Sequence, residues 1–151
     1  MSEEVEIVIT LSSEWHMKPP KIKVYIDDQM IDECYLEEKD TDNKNREFKW
    51  TGNIEEGSHK IRIDMLEKVP QFTKIDGDGN ILQDQLLYVK EVAIDQIELG
   101  HLVYTNCKFY PDKKIHSNLD DMIPNLNCIG YNGTWELEFN VPTYIWLLEN
   151  L

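Results

Sequence analysis

The chain has 151 residues, with 29 acidic against 15 basic side chains and a formal net charge of −14. That length suits one domain, and a hydrophobic share of 41% is material enough for a core, which excludes intrinsic disorder. The acidic surplus disfavours nucleic acid and anionic membrane surfaces, leaving proteins, neutral sugars and divalent cations as partner classes.

Val5, Ile7, Ile9 and Leu11 share one parity around Glu6 to Thr10, which predicts a half-buried strand. Lys18-Pro19-Pro20 then stops regular structure, because each proline lacks an amide donor and restrains its predecessor. Ile22, Val24 and Ile26 alternate with Lys21, Lys23 and Tyr25, and the Asp27-Asp28-Gln29 turn predicts a hairpin return over Met30 to Leu36. Glu37 to Arg46 carries no apolar residue and reads as a solvated loop. The strand pattern resumes at Glu47 to Thr51 with Phe48 and Trp50 in register. After a connection over Gly52 to Ser58 it returns in His59 to Met65, where Ile61, Ile63 and Met65 alternate with Lys60, Arg62 and Asp64.

Phe72 to Ile75, Asp76-Gly77-Asp78-Gly79-Asn80 and Ile81-Leu82 read as a hairpin excursion. Over Leu86 to Leu99 the apolar parity switches across Lys90-Glu91, which favours a bent or bulged strand over a helix. Leu102 to Tyr104 and Lys108 to Tyr110 read as short strands. Pro111 to Pro124 is a polar arm with Ile115, Leu119 and Met122 spaced for one or two helical turns. Asn132-Gly133 marks a turn before the strand Thr134 to Asn140, with Trp135, Leu137 and Phe139 on one face. The apolar run Tyr144-Ile145-Trp146-Leu147-Leu148 is either a strand buried on both sides or a contact for another subunit. Seven or more strands without a long helix predict an all-β chain: one antiparallel β-sandwich of jelly-roll kind over 1–151, with a short helical or irregular arm at 111–124 and an apolar end at 143–151.

Three cysteines, Cys34, Cys107 and Cys128, form no C-x-x-C pair and read as reduced, buried thiols. Asp76, Asp78 and Asn80 stand at the first three ligand positions of a calcium loop and Asp84 at its ninth. Ile81 replaces the turn glycine and Leu87 the closing glutamate, so the EF-hand reading fails and a plain hairpin turn explains the letters. No nucleophile elbow or phosphate loop is present, and Ser58-His59 and His116-Ser117 are adjacent pairs that a strand sends to opposite faces. Glu136 and Glu138 share a strand face, but 29 acidic residues make such a pair ordinary, and no enzyme activity is expected. Trp15, Tyr35, Tyr88, Tyr104, Tyr110 and Tyr131 are candidates for stacking on sugar rings, with Trp15 the one expected at the surface.

The stretches Ile22 to Asp28, Gly57-Ser58-His59-Lys60-Ile61-Arg62-Ile63 and Asp84 to Asp95 resemble, in order, strands of the calcium-dependent xylan-binding carbohydrate modules. That resemblance implies the jelly-roll fold. Of that family's calcium site, Asp84 stands in the aspartate's place, while Leu66-Glu67 replaces an Asn-Asp pair and Gln85-Leu86 an Arg-Asn, so Asp84 and Glu67 are what remains. Together with Asp76 and Asp78 they are the candidate metal ligands, calcium being the cofactor in question. The whole-chain pattern, from Trp15 and Lys18-Pro19-Pro20 through Asp95 to Leu99 and Tyr110-Pro111 to the close over Asn132 to Leu147, resembles small virion-associated β-sandwich proteins of tailed bacteriophages. It implies a non-enzymatic structural subunit of the particle, made in the host cytoplasm and located in the virion. Such a subunit binds other virion proteins or itself through Ile115, Leu119, Met122, Tyr144, Trp146 and Leu148. The alternative is a carbohydrate-binding module, with or without calcium; neither reading involves nucleic acid or a membrane.

Overall fold

The computed structural model describes residues 2–150. In chain order its strands are β1 (Ser2–Glu14), β2 (Lys21–Ile26), β3 (Gln29–Tyr35), β4 (Arg46–Glu55), β5 (Gly57–Leu66), β6 (Lys74–Ile75), β7 (Ile81–Gln83) and β8 (Leu86–Ile94). There follow β9 (Ile97–Glu98), helix α1 (Leu102–Thr105), β10 (Cys107–Pro111), β11 (Ile123–Pro124), β12 (Cys128–Ile129), β13 (Gly133–Val141) and helix α2 (Thr143–Asn150). One sheet runs β12-β8-β1-β4 with β9 added on β8, and the other runs β11-β10-β13-β5-β2-β3; β6 and β7 form a separate hairpin. Every ladder between these strands is antiparallel. This is the expected all-β sandwich.

Period-two patterning builds the core. Val5, Ile7, Ile9 and Leu11 of β1 and Leu87, Val89, Val92 and Ile94 of β8 point inward from the first sheet. Ile22, Val24, Ile61, Ile63, Met65, Phe109, Trp135, Leu137 and Phe139 meet them from the second, all at 1% exposure or less. These side chains belong to one buried cluster. The parity switch at Lys90-Glu91 is a bulge: Thr10 pairs with Glu91 and Leu11 with Val89, so Lys90 is the extra residue that lets Val89 and Val92 both face inward. Between Glu55 and Gly57 a single residue, Glu56, carries the chain from one sheet to the other, so the connection expected over Gly52 to Ser58 is mostly strand.

Two expected elements differ, and a third takes one of the two forms expected for it. Leu102 to Tyr104 is the short helix α1, because Leu99, Leu102 and Val103 are buried at helical spacing and the amides of Thr105 and Asn106 donate to the carbonyls of His101 and Leu102. Tyr144 to Leu148 lies in helix α2, not in a strand: Thr143, Trp146 and Leu147, at i, i+3 and i+4, are the residues it buries. The arm is irregular, not helical: it makes two turns, closed by hydrogen bonds from Ile115 and His116 to Asp112 and from Leu119 to His116, and then pairs as β11.

Glu38 and Arg46 fasten the solvated loop at its two ends, Nε to Oε2 at 2.9 Å and Nη2 to Oε1 at 2.8 Å. Burial alone would raise the Glu38 carboxyl, but the Arg46 hydrogen bond and charge, together with backbone hydrogen bonds, outweigh it and hold the group below its ordinary value. A depressed folded-state value means the contribution is complete above the ordinary 4.5 and is lost as pH falls through the folded value. Urea titrations of the wild type and Glu38→Gln are expected to differ by about 1 kcal/mol at pH 7, and the difference to shrink as the pH is taken below 4.5.

Candidate functional site

Inward alternation dictates what the second sheet shows to solvent. Burying Ile61 and Ile63 turns Lys60 and Arg62 outward from β5; burying Trp135, Leu137 and Phe139 turns Glu136, Glu138 and Asn140 outward from β13; burying Cys107 and Phe109 exposes Lys108 and Tyr110 on β10. The register sets Lys108, Glu136, Arg62 and Tyr25 in one row across four strands, and Glu138 and Lys60 in the next.

Two hollows lie on this face, of about 530 and 500 Å³, and they share Lys60 and Glu136. The first is lined also by Trp146 and Asn150 of α2, by Asn106 next to α1 and by Tyr110. The second is lined by Asp27, Asp28, Ser58 and His59. Asp27, whose φ of 53° turns the β2–β3 hairpin, accepts from the Lys60 amide at 2.9 Å, and its Oδ2 is 2.7 Å from His59 Nδ1. The other His59 nitrogen lies 2.5 Å from the Glu55 carbonyl, and the ring tilts against Phe139 at 5.9 Å.

Opposite charges alternate along the trough. Lys60 and Glu136 are 3.6 Å apart, the Ser58 hydroxyl donates to Glu138 at 2.6 Å, and the Arg62 guanidinium, 3.3 Å from Asp64, stacks on Tyr25 at 4.0 Å. Burial by itself lowers the Arg62 value, but Asp64, by hydrogen bond and charge, and Tyr25 together outweigh it and raise it, so the cation is fixed. Ser58 is committed to Glu138 while His59 faces Asp27 and Glu55, so these neighbours do not form a nucleophile–base pair. What the surface does offer is donors and acceptors in near balance beside a tyrosine ring, chemistry suited to hydroxyl groups.

No protein-family model matches the chain, and no curated protein matches it. Among solved structures, a carbohydrate-binding module described as vCBM60 in complex with galactobiose is similar over 89% of this chain and 97% of its own, with a TM-score of 0.51 and 9% identity. The likeness is one of fold.

The four candidate metal ligands do not come together. Asp76 Oδ1 accepts from the amides of Asp78 and Asn80 within its own turn, and those hydrogen bonds lower its carboxyl value. Asp84 pairs with Lys68 at 2.7 Å and accepts from the Thr73 hydroxyl and the Gln85 amide. Glu67 pairs with Lys21 at 2.9 Å and accepts from Tyr35 at 3.2 Å, which lowers the carboxyl and raises the amine. Asp78 is exposed, and among the described residues no three His, Cys, Asp or Glu side chains form a metal-holding group.

The aromatic candidates scatter as well. Tyr110, 37% exposed, lines the trough, whereas Tyr35 sits among Lys18, Lys21 and Glu67, Tyr104 projects from α1, and Tyr131 meets His116 edge-on. Burial pushes the Tyr88 hydroxyl up to about 12. Trp15 is half-buried under Lys39, its indole donating to the Glu37 carbonyl. Of the candidate contact residues, Trp146 is buried at 6% exposure and packs within its own chain, which removes it from that set. Tyr144 and Leu148 stand 63% and 71% exposed, Ile115 56% and Met122 37%, while Leu119 is half-buried. Cys107 is buried and Cys34 and Cys128 half-buried; burial raises all three thiols, which keeps them in the unreactive protonated form.

Proposed function

We propose that this protein is a non-catalytic glycan-binding module that takes its ligand in the trough on the six-stranded sheet. The observation that carries the reading is the trough's composition. Lys60, Lys108, Asn106 and Asn140 supply donors, Glu136 and Glu138 supply acceptors, and Tyr110 supplies a ring face beside them. Sugar hydroxyls both donate and accept, and pyranose C–H faces stack on aromatic rings, so one surface satisfies both sides of the ligand. The fold shared with a module holding galactobiose is consistent with this use. Titration calorimetry against soluble neutral polysaccharides tests it. Binding by the wild type, weakened about tenfold in Tyr110→Ala with the β-sheet circular dichroism retained, is the expected result.

A second reading, a structural subunit of a tailed-phage particle acting through protein contacts, draws on α2, whose outer face leaves Tyr144, Ile145 and Leu148 at 63, 43 and 71% exposure. Under that reading the purified chain self-associates, and light scattering returns a monomer for the Tyr144→Ser, Leu148→Ser double variant.

A further inference from the structure

We infer that the two hollows act as one groove, gripping the interior of a linear, uncharged glycan that runs across the strands; this rests on the glycan-binding reading above. Lys60 and Glu136 line both hollows, so the two adjoin, and together they reach from β10 to the turn after β2. They cross β10, β13, β5 and β2, three steps between neighbouring strands. At about 4.8 Å per step that is roughly 14 Å, the reach of about three pyranose rings. Lys108 at one end and Asp28 at the other are exposed, so a chain can continue past both.

Charge selects the class. Lys60, Arg62 and Lys108 are matched by Asp27, Asp28, Glu136 and Glu138, which leaves no cationic patch for a uronate or sulfate, and the whole-chain charge of −14 repels polyanions. At the joint, the Lys60–Glu136 separation of 3.6 Å is longer than a good charge-assisted hydrogen bond, and the Lys60 side chain is 52% exposed. A ring lying over the joint gives Lys60 a hydroxyl to donate to and Glu136 one to accept from.

The test is a length series: xylo-, cello- and β-1,4-galacto-oligosaccharides of one to six units, with hexagalacturonate as the anionic probe, titrated into the wild type, Tyr110→Ala and Asp28→Ala. These positions lie in the first and second hollow, and both are solvent-facing. Affinity for at least one neutral series is expected to rise until three or four units and then level. Each variant should weaken the hexamer at least fivefold, and hexagalacturonate should bind at least tenfold more weakly than the neutral hexamer. Equal affinity for one unit and six, a hexamer indifferent to Asp28→Ala, or hexagalacturonate binding as tightly as the neutral chain overturns the groove while leaving glycan binding in place. Silence from every saccharide overturns both.

Discussion

Trp135→Ala is expected to lower the unfolding free energy by about 3–5 kcal/mol, the range for removing a large buried aromatic side chain. Trp135 is fully buried on β13, opposite Ile63 of β5 and Phe109 of β10 in register, where few neighbours can collapse into the space it leaves. Its indole N–H also donates to the Leu126 carbonyl at 2.9 Å, tying the segment before β12 to the sheet. Trp135→Phe separates the two roles: it keeps most of the ring volume and leaves the carbonyl only the weak Cys107 thiol donor at 3.2 Å, so about 1–2 kcal/mol is expected. Urea denaturation followed by far-ultraviolet circular dichroism reads both. Since domains of this kind are stable by about 5–15 kcal/mol, the alanine variant sits near the edge of folding. A loss below 1 kcal/mol in Trp135→Ala would contradict the burial on which the fold rests.

Lys68→Ala carries the second large effect, about 3 kcal/mol. The Lys68 amine lies 2.7 Å from Asp84 and donates to the Gly130 carbonyl, and the two side chains are only 10% and 16% exposed. Deleting one member of such a pair strands the other charge out of water, which costs about 3–5 kcal/mol. The Thr73 hydroxyl and Gln85 amide still serve Asp84, which places the value at the low end. In the Lys68→Ala, Asp84→Ala double variant the loss should be smaller than the sum of the singles by 1 kcal/mol or more, because no orphan charge remains. The same residue is held from the other side by Asn132, whose side-chain amide accepts from the Lys68 N–H and donates to the Lys68 carbonyl, each at 2.8 Å. Lys68, Asp84 and Asn132 thus close one end of the sandwich.

Strands with strict alternation were legible because burial and period coincide: Lys21 to Ile26, His59 to Met65 and Thr134 to Asn140 all lie within strands of the structure. Even the bulge showed, since a parity switch at Lys90-Glu91 has no other use in a strand. Short apolar runs were not legible in the same way. Five consecutive apolar residues from Tyr144 to Leu148 carry no period, and only the spacing of Thr143, Trp146 and Leu147 hints at the helical face they form.

The trough was hidden for a different reason. Lys60, Lys108 and Glu136 are ordinary solvent-facing residues on three strands, and only the strand order β10-β13-β5 makes them neighbours. The sequence shows which side chains point outward but not which strands lie side by side. Asn132 and Lys68 are 64 residues apart, and an Asn-Gly pair looks like a turn whether or not its amide is spent elsewhere. The Asp-rich hairpin misled in the opposite direction: Asp76 has the letters of a cation ligand, but its oxygens are consumed by its own turn.

Helix α2 lines the trough through Trp146, while Trp15, Trp50 and Trp135 stand outside its lining. Under the glycan-binding reading, a change in the summed tryptophan emission on titration is therefore expected to come from that single indole and to vanish in Trp146→Phe, with no dye attached.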